Sequence, residues 1–116
     1  MLSSRFEFDS VEQEHVSQDT IFDKIARPVC EDCMNGFNGS VIALGKTGTG
    51  KTWTIHGDEQ YMKLQGPNRG ILSRISNYVY AKAAEKTTRT VSFEISVQQL
   101  EICMEKIYDL MAPPSR

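Results

Sequence analysis

The sequence predicts an α/β fold, and three observations carry that expectation. Val41-Ile42-Ala43-Leu44 is an unbroken apolar run ending at Gly45, as expected of a strand buried on both faces. Apolar residues recur at helical spacing from Ser17 to Asn35 and again from Gly70 to Tyr80. A β-rich stretch runs from Thr90 to Ile102. At 116 residues, 40% of them hydrophobic, the chain has the size of one globular domain, so residues 1–116 are read as one unit.

In chain order, Phe6-Glu7-Phe8-Asp9 alternates apolar with polar and reads as a short first strand, followed by a polar loop from Glu12 to Ser17. A helix is expected from Ser17 or Asp19, with Ile21, Phe22, Ile25, Val29 and Cys33 on one face and Asn35-Gly36 as its stop signal. Pro28 lies inside it and predicts a kink, because it lacks a backbone donor and crowds the preceding turn. After the strand at Val41–Leu44 and a glycine-rich segment, Lys51 to Ile55 should open a helix that the loop from His56 to Asn68 interrupts. Helical spacing resumes through Ile71, Ile75 and Val79. In the last stretch Val91, Phe93, Ile95 and Val97 alternate, while Leu100 and Ile102 follow one residue out of phase. That slip predicts a long strand with a bulge near Gln98-Gln99, and Ala112-Pro113-Pro114 ends the regular structure.

Composition excludes several classes of function. No apolar run approaches the roughly 18 residues of a membrane span, and Met1 to Phe8 has no signal-peptide core, so a cytoplasmic location is expected. Three cysteines argue against a disulfide framework. Cys30-Glu31-Asp32-Cys33 has no second pair and reads as buried or half-buried helix residues, not a metal site. Residues 61–90 hold six Lys or Arg against the single acid Glu85, but these are dispersed without stacking aromatics, so no nucleic-acid partner is expected. His15 reads as a solvated loop residue, His56 as part of the loop exit, and Glu101 and Glu105 as structural carboxylates.

The chemistry is concentrated in Gly45-Lys46-Thr47-Gly48-Thr49-Gly50-Lys51-Thr52, a complete match to glycine, any four residues, glycine, lysine, then serine or threonine. A triphosphate brings several negative charges that must be met by donors close to the backbone. Gly45, Gly48 and Gly50 let consecutive N–H groups point inward, and the helix that follows adds its positive end. Lys51 is expected to reach the β- and γ-phosphates, and the Thr52 hydroxyl to take one position on Mg²⁺. The expected ligands are therefore ATP or ADP with Mg²⁺. Trp53 follows directly, either stacking on the base or packing against neighbouring structure.

Together with Phe37-Asn38-Gly39-Ser40 before it and Trp53-Thr54-Ile55 after it, this loop resembles the nucleotide-binding core of the kinesin motor domain. Further blocks follow the family's order: Phe6-Glu7-Phe8-Asp9-Ser10-Val11, Gly70-Ile71-Leu72-Ser73-Arg74, and Leu100-Glu101-Ile102-Cys103-Met104-Glu105-Lys106-Ile107-Tyr108-Asp109-Leu110. Lys46 stands where the family commonly has Gln, Leu44 where it often has an aromatic, Ser73 where Pro is usual, and Cys103-Met104 where Tyr-Asn is usual. The resemblance implies a P-loop NTPase fold whose central β-sheet, flanked by helices, is incomplete over residues 1–116. It also implies an ATP-driven motor that partners tubulin in microtubules, located in the cytoplasm on the cytoskeleton. The adenine-contacting Arg-x-Arg-Pro segment, both switch motifs, the main microtubule-binding elements and the neck linker have no counterpart in these residues. Hydrolysis by this segment alone is therefore expected to be crippled, and Val41–Leu44 to lack its sheet partners. The alternative expectation is a non-motor remnant that binds nucleotide weakly or serves only as an interaction piece. A small GTPase is excluded, since no Asn-Lys-x-Asp motif follows the loop.

Overall fold

The computed structural model describes residues 5–58 and 66–112, which fall into two compact units, Met1–Glu85 and Lys86–Arg116. The first unit is helical. Helix α1 (Gln18–Ile21) starts at Ser17, whose Oγ accepts from the Thr20 amide and so satisfies one of the donors that a helix start leaves open. The chain then passes through a π-helical turn (Phe22–Ala26) and continues as α2 (Arg27–Met34).

The π turn is the structure's answer to Pro28. Beside the proline, where a kink was expected, the Arg27 amide bonds back to the Phe22 carbonyl, five residues earlier, and Pro28 sits in the first turn of α2, a position that tolerates its missing donor. The buried face changes with it. In an α-helix, four-residue steps drift by about 40° each, but the wider π turn absorbs much of that drift. Gln18, Phe22, Ala26 and Cys30 therefore form one buried line, whereas Ile25 and Cys33 of the expected face are exposed and Ile21 and Val29 half-buried. Asn35-Gly36 ends the helix as expected. The Phe37 amide reaches the Asp32 carbonyl and the Gly36 amide the Cys33 carbonyl, with Gly36 at φ +94.

Helix α3 (Lys51–His56) and the long helix α4 (Ile71–Lys86) flank a segment of which residues 59–65 lie outside the described residues. Its two ends are stitched together by a bridge between Gly57 and Arg69, by Asp58 N–H to the Asn68 carbonyl, and by Gly70 N–H to the His56 carbonyl. Helix α4 runs six residues beyond the expected Tyr80. The core brings Phe22, Ala26 and Ile71 together, with Ile21, Val41, Ile75 and Tyr78 packed against them. At its rim the Arg27 guanidinium lies 5.2 Å from the Phe22 ring centroid and 5.4 Å from that of Tyr78, while Asp23 accepts from its Nε and Nη2.

Two expected strands of this unit do not form. Phe6 to Asp9 and Val41 to Leu44 belong to no ladder among the described residues, and Phe6, Phe8, Ile42 and Leu44 are exposed, Leu44 to 90%. A strand exists by pairing, and alternation or apolarity specifies only what a paired strand would bury.

The second unit holds one antiparallel hairpin, β1 (Leu100–Cys103) with β2 (Lys106–Asp109), registered Leu100 to Asp109 and Cys103 to Lys106. The expected strand from Thr90 thus shrinks to its last residues, and no bulge arises at Gln98-Gln99 because residues 91–99 belong to no ladder among the described residues, Gln99 only accepting from the Leu110 amide at the hairpin's end. At its start, the Thr88 hydroxyl accepts from the Thr90 and Val91 amides and draws that backbone into a local turn instead. The architecture is helices plus a two-stranded sheet, consistent with α/β, and the expected central sheet is not present among the described residues. Residues 113–116, where Pro113-Pro114 was expected to close the regular structure, lie outside the described residues.

Candidate functional site

The segment from Gly45 to Thr52 leaves the extended run Val41–Leu44, turns through Lys46–Gly50 and enters α3. Gly50, the residue preceding the helix, has φ +90, and Gly48 has φ +84, left-handed conformations that side chains rarely adopt. At Gly45 the constraint is contact: a Cβ there would lie 2.4 Å from the Thr49 Oγ1. Thr49, though exposed, is held against the turn, its amide and its hydroxyl both donating to the Lys46 carbonyl at 3.3 and 2.8 Å.

The Lys51 ammonium folds back across the loop and donates to the carbonyl oxygens of Gly45 (2.9 Å) and Lys46 (2.8 Å). The cation is thereby held over the turn by two of its three donors. Thr52 is exposed in the first turn of α3, and Lys46 and Thr47 are exposed on the turn. The donor set fits a phosphate chain: glycine backbone where side chains would intrude, and a positioned ammonium. It fits Mg²⁺ only thinly. Thr52 is the single hydroxyl in the motif's metal position, and no group of three or more His, Cys, Asp or Glu that could hold a metal ion occurs among the described residues.

Trp53 is 46% exposed and borders a cleft of about 410 Å³ shared with Glu12, Gln13, Val16, Gln18 and Gly50. That partial exposure leaves room for both readings of this indole, part of the ring packed against neighbouring residues and part open to the cleft. A second cavity, of about 280 Å³, lies among Ile25, Val41, Leu44, Lys51, Ile55 and Ile71.

Cys30 is buried, and desolvation pushes its thiol above the ordinary range, with the neighbouring Cys33 and Glu31 adding to the effect. Cys33 is exposed, not half-buried, so the pair is split between interior and solvent. His56 is the exposed last residue of α3, and His15 is exposed beside Glu14. Glu101 stands opposite Tyr108 in the hairpin, and Glu105 occupies its turn. The Glu12 carboxyl is held below the usual carboxylate range by hydrogen bonds from Lys24 and then Ser10.

Two buried side chains that sequence reasoning did not single out tie helix α1 to its neighbours, Gln18 to α3 and Arg74 from α4 to Asp19. Gln18 is 5% exposed and its Nε2 donates to the Trp53 carbonyl at 2.7 Å. Arg74 is 4% exposed and donates to the carbonyls of Arg69 (3.0 Å) and Pro67 (2.9 Å) and to the carboxylate of Asp19. The only signal in the sequence was that Arg74 closes the block Gly70-Ile71-Leu72-Ser73-Arg74; Gln18 gave none.

The pattern that defines the kinesin motor domain matches residues 2–116, and the chain belongs to that family. It is 36% identical over 117 residues to kinesin-like protein KIN-12D of Arabidopsis thaliana, covering 97% of this chain and 4% of that protein. To kinesin-like protein KIN-UA of the same plant it is 37% identical, over 93% of this chain and 11% of the relative. To human kinesin-like protein KIF15 it is 34% identical, over 91% of this chain and 8% of the relative. The chain thus spans about a tenth or less of the length of these relatives.

Proposed function

We propose that residues 45–52 form the nucleotide site of a microtubule motor and bind ATP and ADP with Mg²⁺. The observation that carries this reading is the Lys51 ammonium, held across a glycine turn by the Gly45 and Lys46 carbonyls at the head of α3. Backbone N–H groups of the turn and of the first residues of α3 meet the phosphate oxygens, and Lys51 supplies the positive charge toward the β- and γ-phosphates. Thr52 holds Mg²⁺ through its hydroxyl, and the metal, when bound, neutralises charge on those same phosphates. Trp53 offers its exposed ring to the base. Hydrolysis and movement along tubulin belong, in this reading, to the motor domain as a whole, and the protein is placed in the cytoplasm on the microtubule cytoskeleton. Among the described residues no helix is long and apolar enough to cross a membrane.

The reading is tested by titrating ATP into the chain with Mg²⁺ and with EDTA, for the unsubstituted chain and for Thr52→Ala. Mg²⁺ is expected to tighten binding in the first and not in the second. Equal affinity with and without the metal in the unsubstituted chain would remove Thr52 from its role.

A further inference from the structure

The first turn of α1 carries two neighbouring side chains that reach in different directions. Gln18 bonds the Trp53 carbonyl in α3, and Asp19 pairs with Arg74 in α4. These are the two helices on either side of the segment from Gly57 to Gly70, so one capped turn is tied to both. The Asp19 pair fixes α1 against α4, and the Gln18 amide then extends that frame to α3.

Helix α3 needs such a tether. It has six residues, too few to be stable through its own hydrogen bonds. The Trp53 carbonyl accepts from two donors, the Gly57 amide at 2.9 Å within its own chain segment and Gln18 Nε2 from outside. Glutamine is seldom buried, because an amide without partners loses more on desolvation than a hydrogen bond returns. Its burial here is therefore tied to the carbonyl it holds.

We propose that Gln18 is a positioning residue of the nucleotide site: acting through the Trp53 peptide, it holds α3 so that Lys51 and Thr52 face the phosphates. The proposal rests on the reading of residues 45–52 as a phosphate-binding loop. Trp53 is the chain's one tryptophan, so the tethered residue reports on itself.

The test compares the unsubstituted chain with Gln18→Met, which keeps length and volume but removes the donor, and with Gln18→Glu, which turns a carboxylate toward the carbonyl. Lys51→Ala serves as the loop control, and Ile75→Val, a trimming of the core, as the control for general loss of stability. Acrylamide quenching of Trp53 is measured without nucleotide, MgATP affinity by calorimetry, and folding by circular dichroism. Both Gln18 variants are expected to keep the helical spectrum, to raise Trp53 quenching, and to weaken MgATP binding roughly 2- to 12-fold, while Ile75→Val moves neither readout. If MgATP binds, is lost in Lys51→Ala and is unchanged in both Gln18 variants, the positioning role is overturned alone. An effect of Ile75→Val equal to that of Gln18→Met overturns it as well. If neither the unsubstituted chain nor Lys51→Ala binds MgATP, the phosphate-loop reading falls, and the proposal with it.

Discussion

The hairpin turn between β1 and β2 places two side-chain-bearing residues in left-handed backbone, Met104 at φ +48 and Glu105 at φ +63. A two-residue turn of this kind demands positive φ at both positions, and Asn-Gly is the pair that supplies it with least strain. An L-residue in this region costs roughly 1 kcal/mol or more, with Asn penalised less and Gly not at all. Replacing Glu105 by Gly also adds chain entropy to the open state, which offsets about 0.5–1 kcal/mol. Met104→Asn with Glu105→Gly is thus expected to stabilise the closed hairpin by about 1 kcal/mol, a shift of about fivefold in its opening equilibrium. The Met104 side chain is exposed, so no packing is lost in the exchange. Amide hydrogen exchange reads the effect directly: the Leu110 amide, which donates to the Gln99 carbonyl at 2.9 Å, should exchange about fivefold more slowly. Met104→Val, with a β-branched side chain in the same conformation, should exchange faster. If the Asn-Gly variant exchanges no more slowly than the original, the strain assigned to this turn is wrong.

Arg74→Met should lower stability by about 1–3 kcal/mol, since it removes the guanidinium's hydrogen bonds to the Arg69 and Pro67 carbonyls and to Asp19, the exposed side of Asp19 moderating the loss. Arg74→Lys should recover less than half, because an ammonium cannot reproduce the planar fork; thermal melts that rank Lys equal to Arg would contradict this. In thiol titration of the native chain at pH 8, Cys33 and Cys103 should react promptly and Cys30 only on unfolding, burial having raised its pKa and closed access. Three equally fast thiols would refute the buried position of Cys30.

Helices were legible where local signals agree with packing. The helix start, expected at Ser17 or Asp19 and found with Ser17 as its cap, the stop at Asn35-Gly36 and the spacing of Ile71, Ile75 and Val79 were readable because each acts within a few residues of itself. The face of the first helix was misread because a π turn, invisible in spacing alone, moved burial from Ile25 and Cys33 to Ala26 and Cys30. Strands failed for a different reason: Val41–Leu44 and Val91–Val97 have strand character, yet their pairing partners are not set by the residues themselves. The hairpin was missed because its turn lacks Asn or Gly, the signal that marks such turns. The turn from Gly45 to Gly50 and the helix opening at Lys51 were legible, because the glycines mark the left-handed turn positions and the helix begins directly after them. The tethers from Gln18 and Arg74 were not, because they join residues 35 and 55 positions apart.

Lys51 is the residue on which the proposed nucleotide binding by the loop most depends. A charge-assisted contact of this kind contributes on the order of 1.5–3 kcal/mol, so Lys51→Ala should weaken MgATP binding roughly 10- to 150-fold in calorimetric titration. Lys46 is the internal comparison: exposed on the turn, it lends the loop only its carbonyl, which survives substitution, and Lys46→Ala should change affinity by no more than a few-fold. With folding of both variants verified by circular dichroism, strong loss in Lys51→Ala and near-normal binding in Lys46→Ala is the predicted result. The reverse order, or MgATP affinity unchanged in Lys51→Ala, would contradict the phosphate-loop assignment.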